Sequence, residues 1–242
     1  MSWFKSLFAP ATHPLPEPDE DGDQYWEPVR EPSETEIEQI EGGLRLLVDS
    51  GIVLGPMYDG MSLRAVATEI GSSCEWIDEL SDKGLAVNEW AKLLLVQQRD
   101  WDDYDGFNNA VYFQDLNFDG ADANSLNQFI RRIVSLAGND WQVEKISCGD
   151  VTATDEPVDF RKPVPIVFDA TPEVSGFDLV YDENFESSLI GRLNERLPPS
   201  VNGRFAMREL EDCLVVVYLP ADKIEKLNAI CGDSRRFEMD HS

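Results

Sequence analysis

Apolar residues between positions 34 and 98 recur at the spacing of an amphipathic helix. Ser33 or Thr35 can cap the first helix, and Gly51 can end it. Its core-facing positions are Ile37, Ile40, Leu44, Leu47 and Val48. The pattern therefore predicts that the chain enters its folded part through a helix of about four turns.

Three further helices are predicted before residue 98. Ser62 can open the second, which Gly71 closes, and Ser73 can open the third, which Gly84 closes. The run 87–98 fits a fourth by spacing, although residues 93–96 alone could form a strand. The two short helices have the layout of a helix-turn-helix, but the segment is acidic and offers no basic recognition helix, so DNA binding through it is not expected.

From residue 107 onward, strand-like runs alternate with amphipathic helices. Strands are predicted at 109–117, 140–148, 164–170, 177–182, 204–210 and 213–219, and helices at 125–136, 184–197 and 222–231. The last two strands form a predicted hairpin across Glu211 and Asp212. The run 213–219 is apolar throughout, which is typical of a central strand covered on both faces.

These elements predict an α+β fold, in which an N-terminal helical region precedes a mixed or antiparallel sheet with helices packed on it. Residues 1–33 are rich in proline and acids and are expected to form a disordered tail. Residues 34–98 form the helical region. Residues 99–242 form the α+β domain, either separate from the helical region or continuous with it.

The charge of the chain narrows the choice of partners. Its 47 aspartates and glutamates exceed its 20 lysines and arginines, giving a net charge of −27. A hydrophobic content of 42% still indicates a folded protein. Such a charge repels nucleic acids and anionic membranes, so neither is expected to bind directly, whereas a basic protein would be attracted.

One acidic stretch, residues 99–122, stands out as a candidate interface. It contains seven aspartates against one arginine, and six aromatic residues are interleaved with them. Aromatic anchors surrounded by acids suit a surface that grips a basic partner. The predicted binding residues are Asp100, Trp101, Asp102, Asp103, Tyr104, Asp105 and Phe107. The alternative is an apolar strand at 110–113 flanked by solvated acidic loops.

Residues suited to catalysis are scarce. The chain has two histidines, His13 and His241, and both lie in predicted tails, so a serine or cysteine nucleophile would have no base. No two glycines stand in a GxG pattern, and no glycine-rich loop leads into a lysine, so no nucleotide cofactor is expected. We therefore predict no catalytic residue and no cofactor.

The four cysteines are scattered and form no metal-binding motif, which favours a reducing cytoplasm. The best metal candidate, Asp115-x-Asn117-x-Asp119-Gly120, resembles the first half of an EF-hand calcium loop. Leu126 stands where that loop needs a glutamate, so no metal site is predicted. Acids at the start of a helix also complement its dipole without any cation.

In character the chain resembles immunity proteins carried beside bacterial toxins, being strongly acidic, α+β and without catalytic histidines. The resemblance implies a non-enzymatic cytoplasmic protein that captures and blocks a basic partner such as a toxin nuclease. Two other functions remain open. One is an adaptor that docks through the N-terminal WFxxLF segment, and the other is a carboxylate-based, metal-dependent enzyme.

Overall fold

Six helices and two three-stranded antiparallel sheets make up the described part of the chain, confirming the α+β prediction. The computed structural model describes residues 31–73, 84–96, 106–114, 123–148, 164–170, 175–179, 185–210, 213–232 and 236–239. The helices are α1 (Glu34–Asp49), α2 (Leu63–Ser73), α3 (Val87–Val96), α4 (Ala123–Ser135), α5 (Phe185–Arg196) and α6 (Ala221–Cys231). The strands are β1 (Ala110–Gln114), β2 (Val143–Cys148), β3 (Val164–Ala170), β4 (Ser175–Leu179), β5 (Gly203–Leu210) and β6 (Cys213–Pro220).

The first helix begins and ends where the sequence indicates. The Ser33 side chain accepts a hydrogen bond from the Glu36 backbone at 3.3 Å, and the Glu36 carboxylate accepts one from the Ser33 backbone at 2.5 Å. This reciprocal pair satisfies two of the N–H groups that a helix start leaves open. Beyond the helix, Gly51 adopts a φ of +101°, which glycine tolerates best. The predicted third helix, at 73–84, falls largely outside the described residues.

The strand β6 lies at the centre of the larger sheet, between β1 and β5, as predicted. Its residues from Leu214 to Val217 are all almost fully buried. One face of the sheet shares a core with α4, α5 and the second sheet. On the other face, α3 contacts β1 and α6 contacts β5 and β6. Because helices cover both faces, alternation of polar and apolar residues is lost along this strand.

The remaining strands form a second sheet, in the order β2-β3-β4, where the sequence indicated a single sheet. A one-dimensional pattern identifies strands but not their neighbours, since pairing between distant segments depends on the cores they share. Aromatic contacts join the two sheets. The Trp141 ring lies 5.3 Å from that of Phe168 in β3 and 6.3 Å from that of Phe205 in β5.

The helical and α+β regions belong to one compact unit, Pro32–Ser242. Within it, α1 packs closely on α3. A Cβ atom at Gly43 would lie 3.0 Å from the Ala91 nitrogen and 3.0 Å from the Trp90 Cβ, so the absent side chain allows the close approach. The predicted tail lies almost wholly outside the described residues and stays a prediction. Across the described part of the chain, no helix is both long and apolar enough to span a bilayer.

Replacing Val216 in β6 by aspartate should prevent folding to a soluble protein. Its side chain is fully buried, so the new carboxylate would lose its hydration without gaining a partner, at a cost of several kcal/mol. The matched control is Val167→Asp in β3, where the side chain is 40% exposed. Soluble yield and a urea unfolding curve check both. Equal behaviour of the two variants would contradict the burial of β6.

Candidate functional site

The acidic stretch predicted to bind a partner lies only partly within the described residues. Asp100, Trp101, Asp102, Asp103, Tyr104 and Asp105 fall outside them. Phe107 is described and is 7% exposed, with its backbone bridged to Leu54. On the preceding side, α3 ends at the buried residue Val96. The described residues on either side of segment 97–105, Val96 and Gly106, therefore belong to the folded body, and the predicted role of the side chains between them stays a prediction.

The downstream attachment is a short ladder between segments 51–55 and 106–109. The Gly55 N–H donates to the Gly106 carbonyl at 3.0 Å, and the Asn108 N–H donates to the Val53 carbonyl at 2.8 Å. Two such bonds, around the Leu54–Phe107 bridge, hold residues 106–108 of the acidic stretch beside the loop that follows α1.

The Asn109 side chain completes this attachment. Its Oδ1 accepts a hydrogen bond from the Val53 N–H at 2.9 Å, and its Nδ2 donates to the Gly51 carbonyl at 2.9 Å. Nδ2 also lies 3.4 Å from the Tyr218 carbonyl of β6. One amide thus ties the loop after α1 to the central sheet. An amide carries both a donor and an acceptor, which is what this position requires.

The loop fixed in this way presents apolar side chains to solvent. Val53 and Met57 are each 49% exposed, and Met61 is 38% exposed. With Val48 at the end of α1, segment 48–61 holds four of the six large apolar side chains exposed in the described part of the chain. Exposed apolar side chains this close together in the sequence make the segment a candidate interaction surface, and methionine adapts readily to the shape of a partner. We call Val53, Met57 and Met61 the exposed apolar loop.

Sequence periodicity overlooked this loop because it follows neither a helix nor a strand period. Its sequence, IVLGPMYDGM, does carry a signal. Six apolar or aromatic residues stand there among two glycines, a proline and a single aspartate, whereas turn segments are usually richer in polar residues.

Two of the described thiols, Cys148 and Cys231, are poorly placed to act as nucleophiles. Burial raises the pKa of Cys148 to about 12, although the nearby charge of Arg131 opposes the shift. Burial likewise raises the pKa of Cys231. A thiol that stays protonated at neutral pH is a weak nucleophile. Cys213 is half-buried and accepts a hydrogen bond from the Tyr112 hydroxyl at 3.0 Å.

The buried phenol of Tyr218 also has a structural role. Burial raises its pKa above the ordinary value, and its hydrogen bond to the Asp140 carboxylate, at 3.0 Å, adds to the shift. The ring lies directly over Gly203, where a Cβ atom would overlap it. The group therefore stays protonated near neutral pH and fixes the position of the short 3-10 turn Gly138–Asp140 against the sheet.

Within the described ranges, no three histidine, cysteine, aspartate or glutamate side chains are grouped to hold a metal ion. The calcium-loop-like segment at 115–120 lies outside them. Comparison of the chain with family models, curated proteins and solved structures gives no match. Among the described residues the candidate site is the exposed apolar loop, with Gly106 and Phe107 of the acidic stretch paired to the backbone beside it.

Replacing Asn109 by alanine should destabilise the protein by about 2 kcal/mol, since it leaves the backbone groups of Val53 and Gly51 without their amide partner. Amide hydrogen exchange at Val53 should accelerate. The matched control is Asn127→Ala on α4, whose amide only accepts a hydrogen bond from Arg131 at the surface. A normal unfolding midpoint with unchanged exchange in Asn109→Ala would mean that the loop is held by other contacts.

The buried thiol Cys148 should make stability depend on alkaline pH. The folded protein keeps the Cys148 proton up to a pKa of about 12, against 9.0 for the free thiol. The unfolded state releases the proton first, so the contribution is complete below pH 9.0 and is lost as pH rises toward about 12. The free energy of unfolding should thus fall less steeply over this range in Cys148→Ala than in the wild type. Parallel pH profiles would show that the thiol is not desolvated.

Proposed function

We propose that this protein is a non-enzymatic binding protein that captures and blocks a basic protein partner. The exposed apolar loop, set beside the attached end of the acidic stretch, is the observation that carries the proposal. Apolar contacts contribute the part of the binding free energy that depends little on salt concentration. The surrounding acids attract a basic partner and orient it.

Long-range attraction follows from the net charge of −27. Complementary charge accelerates association, and the acceleration falls as salt shortens the reach of the field to about 8 Å at physiological ionic strength. The acidic segment 97–105 carries four of the seven aspartates found in residues 99–122. The residue that follows this segment, Gly106, is hydrogen-bonded to Gly55, between Val53 and Met57 of the loop.

Short-range affinity is assigned to the exposed apolar loop. Removing a half-exposed valine or methionine side chain from water contributes on the order of 1 kcal/mol or more. The ladder to segment 106–109 and the Asn109 amide hold the loop backbone before a partner arrives. Such preorganisation reduces the entropy lost on binding.

The finer proposal is a cytoplasmic immunity protein whose partner is a toxin nuclease. Its support is compositional, namely the acidity and the shortage of histidine. A nuclease surface that grips nucleic acid is basic, which makes it a fitting target for such a surface. The adaptor alternative depends on the N-terminal WFxxLF segment, which lies outside the described residues. For the metal-enzyme alternative, the described ranges offer no group of three ligands that would favour it.

The test begins with capture of basic proteins from an extract of the source cells on immobilised wild-type protein at low salt. Association and dissociation rates of the captured protein are then measured with variants. Asp102, Asp103 and Asp105 are replaced together by asparagine. The control neutralises three exposed acids elsewhere, Asp178, Glu209 and Asp222. The first triple should slow association and flatten its salt dependence more than the control does.

Met57→Ala should act on dissociation instead, releasing the partner severalfold faster at an unchanged unfolding midpoint. Val167→Ala, another exposed apolar truncation, should leave both rates unchanged. The proposal fails if no basic protein is captured, or if the site variants and their controls behave alike.

A further inference from the structure

The described C-terminal segment, residues 236–239, lies along the outer edge of β5. The Met207 and Glu238 backbones exchange two hydrogen bonds, at 2.9 and 2.8 Å, in an isolated antiparallel bridge. Among the described residues this bridge is the only strand pairing on that edge, since the inner edge of β5 pairs with β6. An exposed ion pair between Arg236 and Glu225, at 2.7 Å, adds little to the attachment. We call residues 236–239 the C-terminal strap.

Two asparagine side chains hold the strap against helices of the folded body. From α6, the Asn228 amide donates to the Phe237 carbonyl at 3.1 Å and accepts from the Phe237 N–H at 2.6 Å. From α5, the Asn194 amide donates to the Met239 carbonyl at 2.9 Å. The Phe237 side chain is 3% exposed. All of these contacts can break without separating β5 from β6.

A buried cation lies beneath the strap. Arg208 of β5 is 7% exposed, and its Nε has no hydrogen-bond partner. Within the described ranges no carboxylate forms an ion pair with it, whereas four other arginines are paired. The antiparallel bridge places Phe237 opposite Arg208, and Glu238, opposite Met207, on the other face of the sheet. The strap therefore covers the edge from which Arg208 would otherwise reach water.

The charged side chains of the neighbouring helix do not neutralise this cation. Burial raises the pKa of Cys231 at the end of α6, and the charge of Arg208 opposes the shift, which places the guanidinium near that thiol. From α3, Lys92 also lowers the pKa of Cys231, whereas Glu89 raises it. The Glu89 carboxylate is bound to Lys92 at 2.8 Å. Two cations thus share one acid where β5, α3 and α6 meet.

Closing the strap has two opposed effects on the free energy. It removes the Phe237 ring from water and forms hydrogen bonds to Met207, Asn228 and Asn194, which favour the closed state. It also separates the Arg208 guanidinium from water without supplying a counter-charge, and a guanidinium cannot lose its proton instead. Opening restores that hydration and leaves the β5–β6 ladder intact. The strap should therefore open at a lower cost than the sheet.

We propose that the C-terminal strap is a detachable cover of the larger sheet, which opens locally while both sheets stay folded because Arg208 is hydrated in the open state. In that state the outward backbone groups of Met207 and the guanidinium of Arg208 face solvent at the β5 edge. The closed strap thus hides a strand edge that would otherwise be free to pair. The opening is separate from the exposed apolar loop and does not depend on the proposed function.

The test measures amide hydrogen exchange of the full-length protein by NMR, at several urea concentrations below the unfolding transition. The Met207 N–H donates outward to the strap, whereas the N–H groups of Ala206 and Arg208 point inward to β6. Exchange at Met207 and Glu238 should proceed through local opening and depend little on urea. Exchange at Ala206 and Arg208 should require unfolding of the sheet and accelerate steeply with urea.

Two variants should shift the opening in opposite directions, measured as exchange at Met207 relative to Ala206. Arg208→Met replaces the buried cation by an apolar chain and should slow the relative exchange about tenfold. Asn228→Ala removes the amide that holds the strap on α6 and should accelerate it about tenfold. The matched control is Arg192→Met, which removes an exposed, ion-paired arginine from α5 and should leave the ratio unchanged.

Three results would overturn the proposal. Equal urea dependence at Met207 and Ala206 in the wild type would show that the strap and the sheet open only together. An unchanged or faster relative exchange at Met207 in Arg208→Met would show that the buried cation does not favour opening. Failure of Arg208→Met to fold would contradict the proposal as well, because the guanidinium would then stabilise the closed molecule.

Discussion

Burial of β6 on both faces is the constraint on which the rest of the structure depends. Its four central residues contact two separate cores, one shared with α4, α5 and the second sheet and the other with α3 and α6. An apolar strand of this kind contributes several kcal/mol by removal of side chains from water. That contribution must offset the self-repulsion of a chain with net charge −27.

Contacts with β6 also position the candidate binding surface. Tyr218 of β6 offers its carbonyl to Asn109, and Asn109 holds the loop that exposes Val53. The acidic segment 97–105 lies between α3, a helix that contacts β1, and Gly106, which precedes this asparagine by three residues. A disturbance of the central sheet should therefore reach the exposed apolar loop, whereas changes within the loop should leave the sheet intact.

Much of the fold could be predicted from sequence, because periodicity reports which side of an element is buried. The Ser33 cap, the end of α1 at Gly51 and the central position of β6 all follow from local patterns. The division into two sheets could not be predicted, since it depends on which distant strands share a core. The role of Asn109 could not be predicted from sequence for the same reason. Its partners lie 56 and 109 residues away, so no local pattern identifies them.

The central claim is that the exposed apolar loop and the acidic stretch form one capture surface. Hydrogen exchange of the protein, alone and bound to its captured basic partner, tests this most directly. If the two form one surface, exchange slows over residues 51–61 and 97–109 in the complex, with little change in β2, β3 and β4. Protection confined to the second sheet, with unchanged exchange at Val53 and Met57, would contradict it.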